Sequence, residues 1–167
     1  MVHSDPSSSH SVVIEKAGPR DFLAIAALDR TAWQDTAHSA CIPDGEHAWR
    51  IWCEHASTYL GRDAQGEVIA ALLAFPCAHP SYCLHKIMVA KSHRGQRLGT
   101  KLLETLLVDL DAKGSDCFLT VSPTNSHALK LYRAYGFTEE KFVKGYYREN
   151  EDRLVLTRRS RKTPSTP

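Results

Sequence analysis

The chain has 167 residues, 43 % of them hydrophobic, enough apolar side chain to close one core and too little chain for a second full domain. Its 21 Lys and Arg stand against 19 Asp and Glu, a formal charge of +2 spread along the whole length, which is not the basic excess of a nucleic-acid binder. The five cysteines, Cys41, Cys53, Cys77, Cys83 and Cys117, contain no C-x-x-C pair. They read as reduced packing thiols, with neither a metal site nor a disulfide framework.

The first residues carry no basic segment followed by an apolar one, and no stretch approaches the ~20 apolar residues of a membrane span. The expectation is a cytoplasmic protein without a membrane partner, a monomer or homodimer. Residues 1–11 and 158–167 are polar and are expected to be disordered tails around a domain at 12–157.

Residues 12–14 form a β-rich run. Gly18 and Pro19 stop it before Asp21, whose side-chain oxygen can cap a helix carrying Phe22, Ile25, Ala26 and Leu28. A second helical stretch spans 46–55 with Trp49, Trp52 and Cys53 on one side. The irregular linker at 34–45, with Trp33 at its edge, either lines an acceptor site or is a plain surface loop. Residues 57–60 and 68–75 read as two strands, the second apolar throughout as for a strand buried on both faces. Pro76 and Pro80 interrupt the ladder before a strand at 82–89. A helix follows with Leu102, Leu103, Leu106, Leu107 and Leu110 on one face, ended by Gly114. A strand at 117–121, a short helix at 125–134 and a hairpin of 142–147 with 153–157 complete the order. The fold class is α/β: one domain with a mixed, mostly antiparallel sheet flanked by helices.

The most informative stretch opens the fifth-strand crossover: His93, Arg94, Gly95, Gln96, Arg97, Leu98, Gly99, Thr100. A strand running through a glycine turn into a helix presents free amides and the positive helix end to an anion. Two arginines add charge-assisted donors. The pattern alone fits either a phosphate grip or solvated charge at a helix start. It is not a P-loop, because three residues separate Gly95 from Gly99 and Lys101 precedes Leu102. The spacing also fails the dinucleotide fingerprint.

In the register Arg94 to Gly99, followed by Thr100, Lys101 and Leu102, the chain resembles the GCN5-related N-acetyltransferases (GNAT), with Arg97 standing where that family usually has its first glycine. Asn125, Ala128, Leu131, Tyr132, Gly136 and Phe137 resemble a second motif of the same family, in the right order after a helix and a strand.

The resemblance implies a sheet splayed between its fourth and fifth strands, with acetyl-CoA in the gap. Residues Ile87, Met88 and Val89 would pair with the pantetheine, and Arg94, Gly95, Gln96, Arg97, Leu98, Gly99 and Thr100 would hold the pyrophosphate. Asn125 and Tyr132 would also border the cofactor, and a backbone N–H near Val89 would meet the thioester oxygen. It implies Tyr132 as general acid; the alternative is a packing tyrosine. Thr120 stands where the branch acetylating ribosomal-protein N-termini has Glu or His. His85 is the substitute base, with His127 a second candidate. Gly145, Tyr146, Tyr147, Glu151 and Asp152 resemble a hairpin of N-terminal protein acetyltransferases, or are an aromatic pair stabilising a hairpin. The expected function is acetyl transfer from acetyl-CoA to a primary amine, a peptide N-terminus being one such acceptor. Other readings are a small amine, a lysine side chain, or a silent acyl-CoA-binding domain. The run Arg158, Arg159, Arg161 and Lys162 is expected to be solvated tail and not a nucleic-acid contact.

Overall fold

The computed structural model describes residues 12–32 and 42–161. The linker positions Trp33 to Cys41 and both chain ends, 1–11 and 162–167, lie outside the described residues. In chain order the elements are β1 (Val13–Lys16), α1 (Phe22–Ala32), α2 (Glu46–His55), β2 (Ser57–Arg62), β3 (Val68–Pro76), β4 (Ser81–Val89), a 3₁₀ turn (Lys91–His93), α3 (Leu98–Lys113), β5 (Asp116–Val121), α4 (Ser126–Ala134), β6 (Glu139–Val143) and β7 (Arg153–Arg158).

The seven strands form one sheet in the order β1-β2-β3-β4-β5-β7-β6. Every pairing is antiparallel except β4 with β5. β3 is an interior strand, and its apolar run is covered on both faces, with Ala70, Leu72 and Ala74 toward one cluster and Ala71 and Leu73 toward the other. α3 closes the first face with six fully or nearly buried leucines. Each contributes roughly 1.5–3 kcal/mol of burial before entropy is counted. α1 and α2 close the second face around Ile25, Leu28, Trp49 and Cys53. Cys53 and Cys117 are buried, and burial pushes their thiols up to about 11 and about 12, as packing thiols require. No described helix is long and apolar enough to cross a membrane.

Four sequence expectations shift. The penultimate strand is Glu139–Val143, not 142–147: Gly145 takes a φ of +59° and donates its N–H to Asp152 Oδ1 at 2.8 Å, turning the chain out of the sheet before Tyr146. β7 continues through Arg158, one residue beyond the expected strand. Arg158 is 2 % exposed and bidentate to Asp111, and Arg159 joins Asp116 and Glu139; among the described residues this basic run is therefore pinned to the sheet. Asp21 turns its carboxylate back to the Gly18 N–H and across to Arg62. Pro76 stays in β3, opposite Tyr82.

Candidate active site

β4 and β5 are joined at only three residue pairs, Ser81 with Asp116, Tyr82 with Cys117 and Cys83 with Phe118. Beyond Cys83 the strands part, because β5 continues against β7 as far as Val121 with Leu154 while β4 follows β3. The outer edge of β4 from Leu84 onward therefore has no strand partner among the described residues. Ala90 donates its N–H to Ile69 O at 2.8 Å, and antiparallel alternation then turns the backbone groups of Met88 and Lys86 toward β3 as well. Those of Ile87 and Val89 point into the gap. Of the three residues expected to offer backbone to a cofactor, Ile87 and Val89 turn their backbone groups into the gap, while Met88 turns its own toward β3 and packs its side chain under α1 and α2.

The gap ends at the start of α3. Gly95 has a φ of +79° and Arg97 a φ of +59°, the one described non-glycine residue in the left-handed region. The first helical bond is Lys101 N to Arg97 O at 3.0 Å. The N–H groups of Gly95, Gln96, Arg97, Leu98, Gly99 and Thr100 have no acceptor among the described residues. They form an amide cradle with the helix N-terminus behind it. Arg97, departing from the glycine of the motif, keeps the glycine-like backbone.

Two motif residues also make contacts within the chain. Arg94, expected to hold phosphate, donates from Nη2 to Ala32 O, the last carbonyl of α1, at 2.5 Å, and its Nε reaches Val89 O at 3.4 Å, so in this structure the guanidinium ties α1 to β4. Gly99 lies against β4, where an added Cβ would meet Ile87 Cγ2 at an ordinary 3.5 Å; its place reflects helix packing on the strand. Arg97 stays exposed, with its guanidinium beside Tyr135, whose hydroxyl donates to Glu104 Oε1 at 2.5 Å.

Asn125 caps α4, its Oδ1 accepting the Ala128 N–H at 3.1 Å, which leaves the side-chain NH₂ for other partners. Two helical turns on, Tyr132 packs edge-on against Phe137 at 5.7 Å between ring centroids. Burial, with Cys117 nearby, pushes its phenol up to about 12. Its hydroxyl has no hydrogen-bond partner among the described residues, yet no buried side-chain oxygen or nitrogen among them lacks one, so the hydroxyl reaches an opening. His127 lies exposed in the first turn of α4.

On the opposite face of the sheet lies a charged cluster that the sequence did not disclose. The β3–β4 register slips between Leu73 with Lys86 and Ala74 with Leu84, making His85 the extra residue of a β-bulge. The bulge turns His85 and Lys86 toward the same face. The His85 ring lies 5.6 Å from both Trp52 and Phe75, and its Nε2 is 3.3 Å from Asp44 Oδ2. Lys86, 8 % exposed, places Nζ 2.6 Å from Asp44 Oδ2 and 2.9 Å from Asp29 Oδ2. Asp29 is fully buried in α1 and also accepts from Trp49 Nε1 at 3.0 Å and from the Asp44 N–H at 2.8 Å. Burial works against the Lys86 ammonium, but hydrogen bonds and charge from Asp44 and Asp29 prevail and raise its pKa. Burial likewise works against the Asp44 carboxylate, and His85 and Lys86 hold it below the usual carboxylate range. Asp29 was legible in principle, since it falls on the buried stripe of α1 with Ile25 and Ala32.

The β6–β7 loop closes the site from the β5 side. Thr120 Oγ1 lies 2.8 Å from the Tyr147 hydroxyl, Tyr146 and Tyr147 pack edge to face at 4.7 Å, and Arg153 sits 5.1 Å above the Tyr147 ring. Glu151 joins Arg148 and Arg153. No group of His, Cys, Asp and Glu suited to a metal ion occurs among the described residues.

The family model for the acetyltransferase (GNAT) family matches residues 22–137. Among curated relatives, the N-alpha-acetyltransferase RimI of Mycobacterium tuberculosis is 36 % identical over 84 residues, covering 50 % of this chain and 52 % of that protein. The chain spans about half the length of the curated relatives it matches. The crystal structure of the ribosomal-protein-S18-alanine N-acetyltransferase from Escherichia coli has a TM-score of 0.78 at 22 % identity, covering 94 % of this chain and 99 % of that one. Diaminobutyrate acetyltransferase EctA from Paenibacillus lautus, solved with L-2,4-diaminobutyric acid and coenzyme A, has a TM-score of 0.76 at 17 % identity, covering 94 % and 100 %. At these identities the solved structures speak to the fold, and the family match spans most of the chain. The chain belongs to the acetyltransferase (GNAT) family, whose acyl donor is acetyl-CoA.

Proposed function

We propose that the protein is an N-acetyltransferase that passes an acetyl group from acetyl-CoA to a primary amine, with a peptide N-terminus as the acceptor. The observation that carries this reading is the unpaired edge of β4 running into the amide cradle of α3. An extended chain bearing amides at one end and a pyrophosphate at the other fits that edge and that cradle. The free amides from Gly95 to Thr100 hold the anion, Arg97 adds charge, and the NH₂ of Asn125 borders the gap.

The donor supplies a thioester. An outward N–H of this edge, that of Val89 or of its neighbour Ile87, would donate to the thioester's carbonyl oxygen as negative charge gathers there. His85 takes the proton that the acceptor nitrogen loses as the N–C bond forms. Tyr132 gives its proton to the sulfur as the C–S bond breaks. A phenol raised by burial still suits this task, because the same surroundings raise the proton affinity of a thiolate.

An α-amine acceptor is supported by the N-alpha-acetyltransferase names of the curated relatives. It is supported also by reference pKa values of ~7.7–8.0 for an α-amine against ~10.4 for lysine, which ask less of a partly exposed histidine base. The EctA likeness keeps a small diamine as the second reading. The test is thiol release from acetyl-CoA with N-terminal peptides, lysine peptides and diamines, in wild type and Tyr132→Phe. Turnover confined to peptide α-amines is the expected result. Acetyl-CoA binding without turnover on any acceptor would sink the enzyme reading in favour of a silent binding domain.

A further inference from the structure

The cluster behind β4 brings two carboxylates to one ammonium among the described residues: Lys86 Nζ lies within 3.0 Å of both Asp29 and Asp44. Asp29 is fully buried, and Asp44 is the partly open member. The same Oδ2 that meets Lys86 also meets His85 Nε2.

We infer that Asp44 is a positioning residue for His85: it fixes which ring nitrogen carries the proton, and Lys86 and Asp29 hold it in place for that task. This rests on His85 being the proton acceptor proposed above. Asp44 is fastened from two sides, its carboxylate by Lys86 and its own N–H by Asp29 Oδ2. The His85 ring is confined between the Trp52 indole of α2 and the Phe75 ring of β3. With the ring plane set and Nε2 turned to a carboxylate, Nε2 carries the proton and Nδ1 presents its lone pair to the acceptor nitrogen. Of the described groups packed around His85, Asp44 from the segment before α2 and Lys86 on β4 are charged; Trp52 and Phe75 are not. The bulge is what brings His85 and Lys86 to one carboxylate, because in a regular strand they would face opposite sides.

The experiment is steady-state kinetics with an N-terminal peptide and acetyl-CoA each varied in turn, alongside Tm, for wild type, His85→Gln, Asp44→Asn, Asp44→Glu and the His85→Gln/Asp44→Asn double variant. Asp44→Asn is expected to lower kcat about tenfold, a part of the ~10²–10⁴ that a positioned base supplies, with the KM for acetyl-CoA unchanged. Asp44→Glu should restore most of that kcat, and adding Asp44→Asn to His85→Gln should cost no further kcat. An Asp44→Asn change that lowers kcat equally with and without His85 shows a structural aspartate and overturns the inference. A His85→Gln enzyme with normal kcat overturns the base assignment and this inference with it.

Discussion

Thr120 on β5 and Tyr147 in the β6–β7 loop share a hydrogen bond of 2.8 Å between their hydroxyls, tying the loop to the strand at the open end of the sheet. Thr120 faces away from the buried stripe of Cys117, Leu119 and Val121, so the contact lies on the His85 side of the sheet. Tyr147→Phe keeps the ring and its Arg153 contact but releases the loop. We expect an acceptor KM raised several-fold, an unchanged KM for acetyl-CoA, and a stability cost no larger than about 1 kcal/mol for a partly exposed bond. Steady-state kinetics with each substrate varied in turn checks this.

Tyr132→Phe removes a hydroxyl without a protein partner among the described residues and keeps the packing on Phe137. Tm should hold while kcat falls roughly 10²–10⁴-fold. With the phenol at about 12, the general acid stays protonated through neutral and mildly alkaline pH. Its loss should therefore produce no falling limb in kcat until pH nears that value, and a falling limb at neutral pH would remove Tyr132 from the role.

Arg97 adopts a left-handed backbone at the head of the amide cradle. That conformation costs a side-chain-bearing residue roughly 1–2 kcal/mol, against about 0.5–1 kcal/mol of glycine entropy. Arg97→Gly should leave the protein as stable or up to about 1 kcal/mol more stable, and Arg97→Ala should not. Both should weaken acetyl-CoA binding and flatten its salt dependence, since both lose the guanidinium. Thermal unfolding and acetyl-CoA titration at two ionic strengths separate the two effects.

Arg158 and Asp111 link the end of β7 to the end of α3 through two bonds of 2.8 and 2.6 Å. The hydrogen bond from Arg158, helped by the Arg161 N–H, holds the Asp111 carboxyl below its usual range. A depressed carboxyl contributes stability above the unfolded-state value of ~3.9 that is lost as pH falls through the folded-state value. Wild type should therefore lose this increment below about pH 4. Arg158→Met should lack it and be less stable at neutral pH by about 3 kcal/mol. Denaturant melts at neutral and acidic pH give the comparison, and equal losses on acidification in both proteins would refute it.

Local signals were enough for most of the architecture. The uninterrupted apolar run of β3, the leucine face of α3 and Gly114 at its end each reflect physics within a few residues. The splay came from the resemblance, and it agrees with the short β4–β5 register. β6 escaped notice because an exposed edge strand, Glu139–Val143, carries no apolar alternation, while the aromatic residues beyond it mimic a strand but sit in a turn. The Arg94 contact with Ala32 and the Lys86 contact with Asp29 join residues 62 and 57 positions apart, and no periodicity encodes such pairings. The His85 bulge is equally silent, since its apolar and polar neighbours alternate acceptably in either register.

Three residue pairs hold the two halves of the sheet edge to edge, so the molecule is in effect one strand short of a continuous sheet. A ligand lying along Ile87 and Val89 would complete it, coupling occupancy to rigidity. Saturation should slow hydrogen exchange at those amides and raise Tm as the logarithm of ligand concentration. Free coenzyme A offers the same amides and the same pyrophosphate as its acylated form. The finished sheet would thus take up the spent carrier by the same contacts as the acylated one, making product a competitor for the gap.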